Sequence, residues 1–264
     1  MKIYLEGIGL LGPGLSGWSL SVPILNDTQA FVHTPTIVPP PEMLPPAERR
    51  RVGVPVKIAL AVGKEAFTHA DKDMSLAATV FSSSGGDGDN VNAICEVLAT
   101  AEREVSPTRF HNSVHNAAAG YWGIAAQSRE ASTSLCCYDD SFAAGLLEAA
   151  VQTQTESVPV ALIAYDQPYP EPLASVRPIS DNFGVAMIFS ANPTHRSFAT
   201  LTVRYVPERI KASKINNQKL EYIRQSIPAA RCLPLLECLA ENIAGSIFLE
   251  YTQGHLQVDV EPLR

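Results

Sequence analysis

An α/β fold built around a central sheet is predicted by three features of the 264-residue chain. Short uninterrupted apolar runs, of which VPVALIAYD (158–166) is the clearest, alternate with stretches whose apolar residues recur at helical spacing. Hydrophobic residues make up 46% of the chain but aromatics only 7%, so the core leans on Ala, Val, Leu and Ile, as in strands covered by helices on both faces. No long polar linker divides the chain, which reads as one domain over residues 1–264.

The elements follow in order. MKIYLEGIGLLGPGLSGW reads as a buried first strand and a glycine turn. It is too short, and too interrupted by Glu6, Gly and Pro, for a signal peptide or a membrane span. Residues 20–46, rich in Pro and hydroxyl side chains, form an ordered surface excursion. Residues 47–69, containing Arg49-Arg50-Arg51, read as a loop and a long helix. LAATVFSSS is a buried strand. The following Gly85-Gly86-Asp87-Gly88-Asp89 resembles a phosphate loop, but no GxxxxGK[ST] or GxGxxG context follows and its acids would repel a phosphate. A tight turn with Asp89 as N-cap, then a helix over 90–104, is the better reading. NFGVAMIFS, FATLTVRYV, AGSIFLEYT and LQVDVEP read as later strands, with a helix near 233–242.

A formal charge of −7 argues against nucleic acid, and against an acidic partner docking anywhere but on a local basic patch. Five cysteines without CxxC spacing fit a reducing, cytoplasmic setting with neither disulfide framework nor zinc site. No cofactor is implied. His111 and His115, spaced i, i+4, have no HExxH context or third ligand, so packing or partner contact is favoured over metal binding.

The most informative stretch is 106–149, read as a helix, a short buried strand, a sharp turn at Asp139-Asp140-Ser141 and a second helix. A helix N-terminus stabilises negative charge, so the two carboxylates have a structural reading as helix caps and a functional one as an acid–base pair, capping being favoured. Alternation in STSLCCY buries at least one sulfur of Cys136 and Cys137, which points to core thiols.

Ser106-Pro107, Asn116, Ala119-Gly120 and Ser141, with the blocks SVHNAAAGYW and DDSFAAGLLEA, resemble the β-ketoacyl synthases of fatty-acid and polyketide assembly. The resemblance implies a thiolase-like layered αβα fold, truncated relative to full-length ketosynthases, with 1–195 matching the N-terminal half and 196–264 a reduced C-terminal part. In that frame Asp139 occupies the position of the nucleophilic Cys, and none of the six His stands in a family His context. The implied role is a non-catalytic chain-length factor, like those of bacterial aryl polyene systems. It would pair with an active β-ketoacyl synthase, and would meet the acyl carrier protein and its phosphopantetheine-bound chain mainly through that partner. Arg109, Phe110, Ser113, Val114 and Ala117, with Asp139, are then the expected tunnel or interface residues. Phe110 or Trp122 would limit chain length by bulk, although Trp122 reads better as core. The alternative is a free-standing acyl-thioester hydrolase or decarboxylase using Asp139 or Cys137.

Overall fold

In the computed structural model, which describes residues 1–155, 158–208 and 210–263, the sheet grows outward from β1 (Lys2–Gly12). The two-residue β2 (Leu15–Ser16) pairs back on β1 and leads into α1 (Trp18–Leu25). The short α2 (Pro46–Arg49) and the long α3 (Val54–Ala70) precede β3 (Ala78–Ser82). Helices α4 (Gly88–Leu98), α5 (Pro107–Asn112) and α6 (Ala117–Ala126) come before β4 (Ser132–Leu135). Next come α7 (Ser141–Thr155), β5 (Val160–Asp166), the single turn α8 (Leu173–Val176), β6 (Phe183–Ser190) and β7 (Ala199–Val206). Helices α9 (Gln218–Ser226) and α10 (Leu233–Glu241) and the hairpin β8 (Gly245–Tyr251) and β9 (Gly254–Pro262) complete the chain.

The strand order is β4-β3-β5-β6-β1-β7-β9-β8. The pairings β4–β3 and β3–β5 are parallel, and those from β5 onward are antiparallel. Period-two alternation builds two cores from single strands. On β5, Val160, Leu162 and Ala164 face a layer made by α1, α7 and α10, while Ala161, Ile163 and Tyr165 face α3 and α6. Each fully buried Val, Leu, Ile or Phe side chain contributes about 1.5–3 kcal/mol, which is why such strands read as continuous apolar runs. The layers are therefore helix, sheet, helix, with α7 also reaching β7 and β8.

Two local devices shape β1. The pairing register with β6 shifts between Leu5 and Gly7, so Ile3 and Leu5 before the bulge and Ile8 and Leu10 after it face the same core. Glu6 at the bulge is buried yet fully engaged: Ser190 and Thr194 donate to it, and Lys72 Nζ lies 2.9 Å away. Burial by itself would raise this carboxyl, but those hydrogen bonds and Lys72 overturn that and hold it below its usual range. Gly7 and Gly9 let α3 lie directly on the strand, because a Cβ at Gly9 would sit 2.0 Å from the Val62 carbonyl oxygen. Beyond Leu5, β1 parts from β7, and α3 serves the freed donors: Glu65 accepts from Leu10 N (2.9 Å) and His69 Nδ1 from Ile8 N (3.1 Å), while Glu65 also accepts from Trp18 N (2.5 Å) at the start of α1.

Several sequence expectations are corrected here. The N-cap of α4 is Asp87, whose carboxylate accepts from Asn90 N at 3.0 Å, and Asp89 lies inside the first turn. That helix ends at Leu98, short of the expected 104. The helix expected from Ser106 onward is two helices, broken over residues 113–116, so His111 and His115 do not share one helical face. Strand β4 is a half-exposed sheet edge, not a buried strand, because only β3 pairs with it. With no second neighbour to cover them, Cys136 is exposed and Cys137 half-buried, so neither is the core thiol expected. Helices α1 and α9 lie in stretches that Pro23 and a run of polar residues had disguised.

Candidate functional site

The chain reverses between β4 and α7 through one 3-10 turn, Tyr138–Asp140. Tyr138 has a left-handed φ of 52°, so the sharpest bend lies immediately before Asp139. Ser141 locks the turn: its Oγ accepts from Cys137 N at 3.0 Å and donates to the Tyr138 carbonyl at 2.7 Å. Among the described residues no side chain caps this turn, so the capping expected of Asp139 and Asp140 is corrected: both carboxylates turn away to other segments.

Those segments come from the C-terminal half of the chain. Asp139 accepts from Arg177 Nη2 at 2.8 Å and lies 3.2 Å from Arg231 Nη2. Asp140 lies 3.1 Å from Arg231 Nη1 and accepts from the Thr252 backbone N–H at 2.9 Å. Arg231 also reaches Glu250 at 2.9 Å, and the Arg177 guanidinium stacks 3.4 Å over the Tyr138 ring. Burial by itself would lower the Arg177 pKa, but Asp139 and Tyr169 more than offset it, and the net direction is upward. The arginines are what sequence reading missed: they lie 38 and 92 residues beyond Asp139, and no local spacing announces them.

The Cys137 thiol beside this turn is not activated. Burial pushes the Cys137 thiol up, and Asp140 and Cys136 push it further in the same direction. Cys136 Sγ donates to the Ser84 carbonyl at 3.2 Å. Among the described residues no three His, Cys, Asp or Glu side chains converge as a metal-ligating group.

Deeper in, Asp166 at the end of β5 is buried and accepts from Ser84 N (2.8 Å), Ser84 Oγ (2.7 Å) and Ala229 N (2.8 Å). Burial raises its carboxyl to about 6, against the pull of those hydrogen bonds and of Arg177. Asp166 thereby ties β3, β5 and the segment before α10 together at the ends of the parallel strands.

The five residues expected along the first helix fall on α5, the break after it and the start of α6. Arg109 is exposed, Phe110 is 67% exposed, Val114 is 48% exposed, and Ser113 and Ala117 are half-buried. Trp122 is core, packed between Phe67 and Phe81. Helix α5 packs on α4, and His115 lies against Gly86. On α4, Gly88, Val91, Asn92 and Cys95 form one stripe and wall a largely apolar groove of about 530 Å³. Its opposite wall is Tyr169, the prolines beside it, Leu173 and Val176. The groove and the Asp139 turn adjoin, because Val176 borders the groove and Arg177 pairs with Asp139.

A layered αβα sheet with a strand, tight turn and helix at this position defines a ketosynthase-like protein of the thiolase fold. The family model for the β-ketoacyl synthase N-terminal domain matches residues 26–241. The chain belongs to that family. Solved structures agree on the fold. The ketosynthase ApeO in complex with its chain length factor ApeC, from Xenorhabdus doucetiae, matches with a TM-score of 0.72 at 19% identity, over 99% of both chains. The ishigamide ketosynthase/chain length factor matches at 0.70 and 12%, over 98% of this chain and 99% of that one. The AntDE:AntF complex, a type II acyl-carrier protein with its hexaketide-bound ketosynthase, matches at 0.73 and 9%, over 99% of both. No curated protein sequence matches significantly. No helix among the described residues is long and apolar enough to cross a membrane.

Proposed function

We propose that this chain is a non-catalytic, chain-length-factor-like subunit that pairs with an active β-ketoacyl synthase and helps shape the space for the growing acyl chain, in a type II system of the aryl polyene kind. The observation that carries the reading is the state of Asp139. A carboxylate gripped by two guanidinium groups has its oxygens committed, and it forms no transferable thioester of the kind a Cys thiolate forms. The neighbouring Cys137, with its thiol pushed up, does not replace it.

The outer face supports a pairing role. Strand β4 leaves one edge of the sheet open among the described residues, and Phe110 on α5 and Val114 in the break after it are exposed. The partner is a full ketosynthase that supplies the nucleophile and meets the acyl carrier protein. The apolar groove between α4 and α8 is the space this subunit contributes to the acyl chain.

The test is co-expression with a ketosynthase from the same pathway, followed by size-exclusion chromatography with mass detection and product analysis. A one-to-one heterodimer that is weakened by Phe110→Ala is the expected result. A chain that ignores the synthase, yet consumes an acyl thioester alone at a rate abolished by Asp139→Ala or Cys137→Ala, overturns the reading in favour of a free-standing enzyme.

A further inference from the structure

Resting on the reading above, we infer that Asp139 is a positioning residue. Through Arg177 it holds Tyr169, and Tyr169 sets how long a linear apolar chain the groove between α4 and α8 takes.

Gly85 and Gly88 bracket the N-terminus of α4, and both lie against Tyr169. A Cβ at Gly85 would meet the Tyr169 hydroxyl at 1.9 Å, and one at Gly88 would meet ring carbon Cδ1 at 2.9 Å. Tyr169 therefore lies across the start of α4 in space that only glycines leave open. Since Gly88, Val91 and Cys95 mark successive turns of the groove wall, a chain entering from the Cys95 end meets this ring at the other end.

Two groups hold the ring in place. The Tyr169 hydroxyl is 3.4 Å from Ser84 Oγ, which itself donates to Asp166 at 2.7 Å. From the other side the Arg177 guanidinium lies 6.0 Å from the Tyr169 ring centroid, stacks on Tyr138 and pairs with Asp139. Arg177 is the residue after Val176, so the pair Arg177–Asp139 also sets the position of the exposed outer lip of the groove. The position where the family carries its nucleophile thus becomes an anchor for the groove's end wall. Phe110, two-thirds exposed on the neighbouring helix, lies outside the groove lining and is a residue of the partner face.

The experiment uses the co-expressed heterodimer and reads the product-length distribution by mass spectrometry. Tyr169→Ala shifts the distribution to longer chains by at least one extension unit. Asp139→Ala shifts it the same way, Asp139→Glu restores the original length, and the double variant Asp139→Ala/Tyr169→Ala goes no further than Tyr169→Ala alone. That non-additivity is the mark of residues acting through one wall, which general loosening of the fold does not produce. Val176→Trp alters an exposed side chain, keeps the fold and shortens the product, so the inference stays testable if Tyr169→Ala fails to fold. A heterodimer that makes its normal product, and keeps that product length either in Asp139→Ala or in both Tyr169→Ala and Val176→Trp, overturns the inference and leaves the proposed function standing. Absence of a heterodimer overturns both.

Discussion

The two edges of the sheet are finished differently. At one end the outer side of β8 is bridged at its centre: Ser213 N donates to the Phe248 carbonyl at 2.9 Å, and Ser213 Oγ accepts from Phe248 N at 3.0 Å. At the other end, among the described residues, β4 bonds only to β3. Thr79 N donates to the Ala131 carbonyl and Ser83 N to the Leu135 carbonyl, so alternation turns the N–H groups of Ser132 and Ser134 outward. An edge left unpaired in this way is the one on which the proposed partner strand would add.

The largest effect that would break this contrast comes from Ser134→Pro. Proline is tolerated on an edge strand where the N–H faces outward, so thermal unfolding of the isolated chain stays within about 4 °C of the parent. Heterodimer formation with the synthase is lost, as read by size-exclusion with mass detection. Retained pairing would place the interface elsewhere. A smaller change is expected at the bridged edge. Ser213→Ala removes the acceptor for Phe248 N and costs about 1 kcal/mol in denaturant unfolding, without affecting association.

The smallest effect sharpens the comparison by probing the strands between the two edges. Asp166, held at about 6 by burial, takes up a proton more readily folded than unfolded. Its stabilising contribution is complete below about pH 4 and is lost as pH rises through about 6. Asp166→Asn removes that titration. The stability of the parent relative to the variant therefore rises on acidification from about pH 7 to about pH 5, by on the order of 1 kcal/mol, in denaturant curves. Equal pH dependence in the two proteins would contradict the assignment.

Much of the fold was legible because it depends on local pattern. The continuous apolar run of β5, the buried β3 and β6, the helical spacing of α3 and α10, and the turn ahead of α7 all follow from periodicity and turn chemistry. What escaped was of two kinds. Caps and breaks shift by a residue or two where several polar residues compete, as Asp87 and Asp89 do for the start of α4. Exposure depends on neighbours: β4 looked buried by composition but became an edge, and Cys136 became exposed with it.

The sequence by itself determined the α/β class and the strand, turn and helix around Asp139, and it carried the family resemblance in SVHNAAAGYW and DDSFAAGLLEA. Only the tertiary structure decided what that carboxylate does. Arg177, Arg231, Glu250 and Thr252 reach the turn from distant segments, and Tyr169 reaches the glycines of α4 from beyond β5. Periodicity and spacing describe neighbours along the chain; ion pairs and groove walls are made by neighbours in space, which this sheet order brings together.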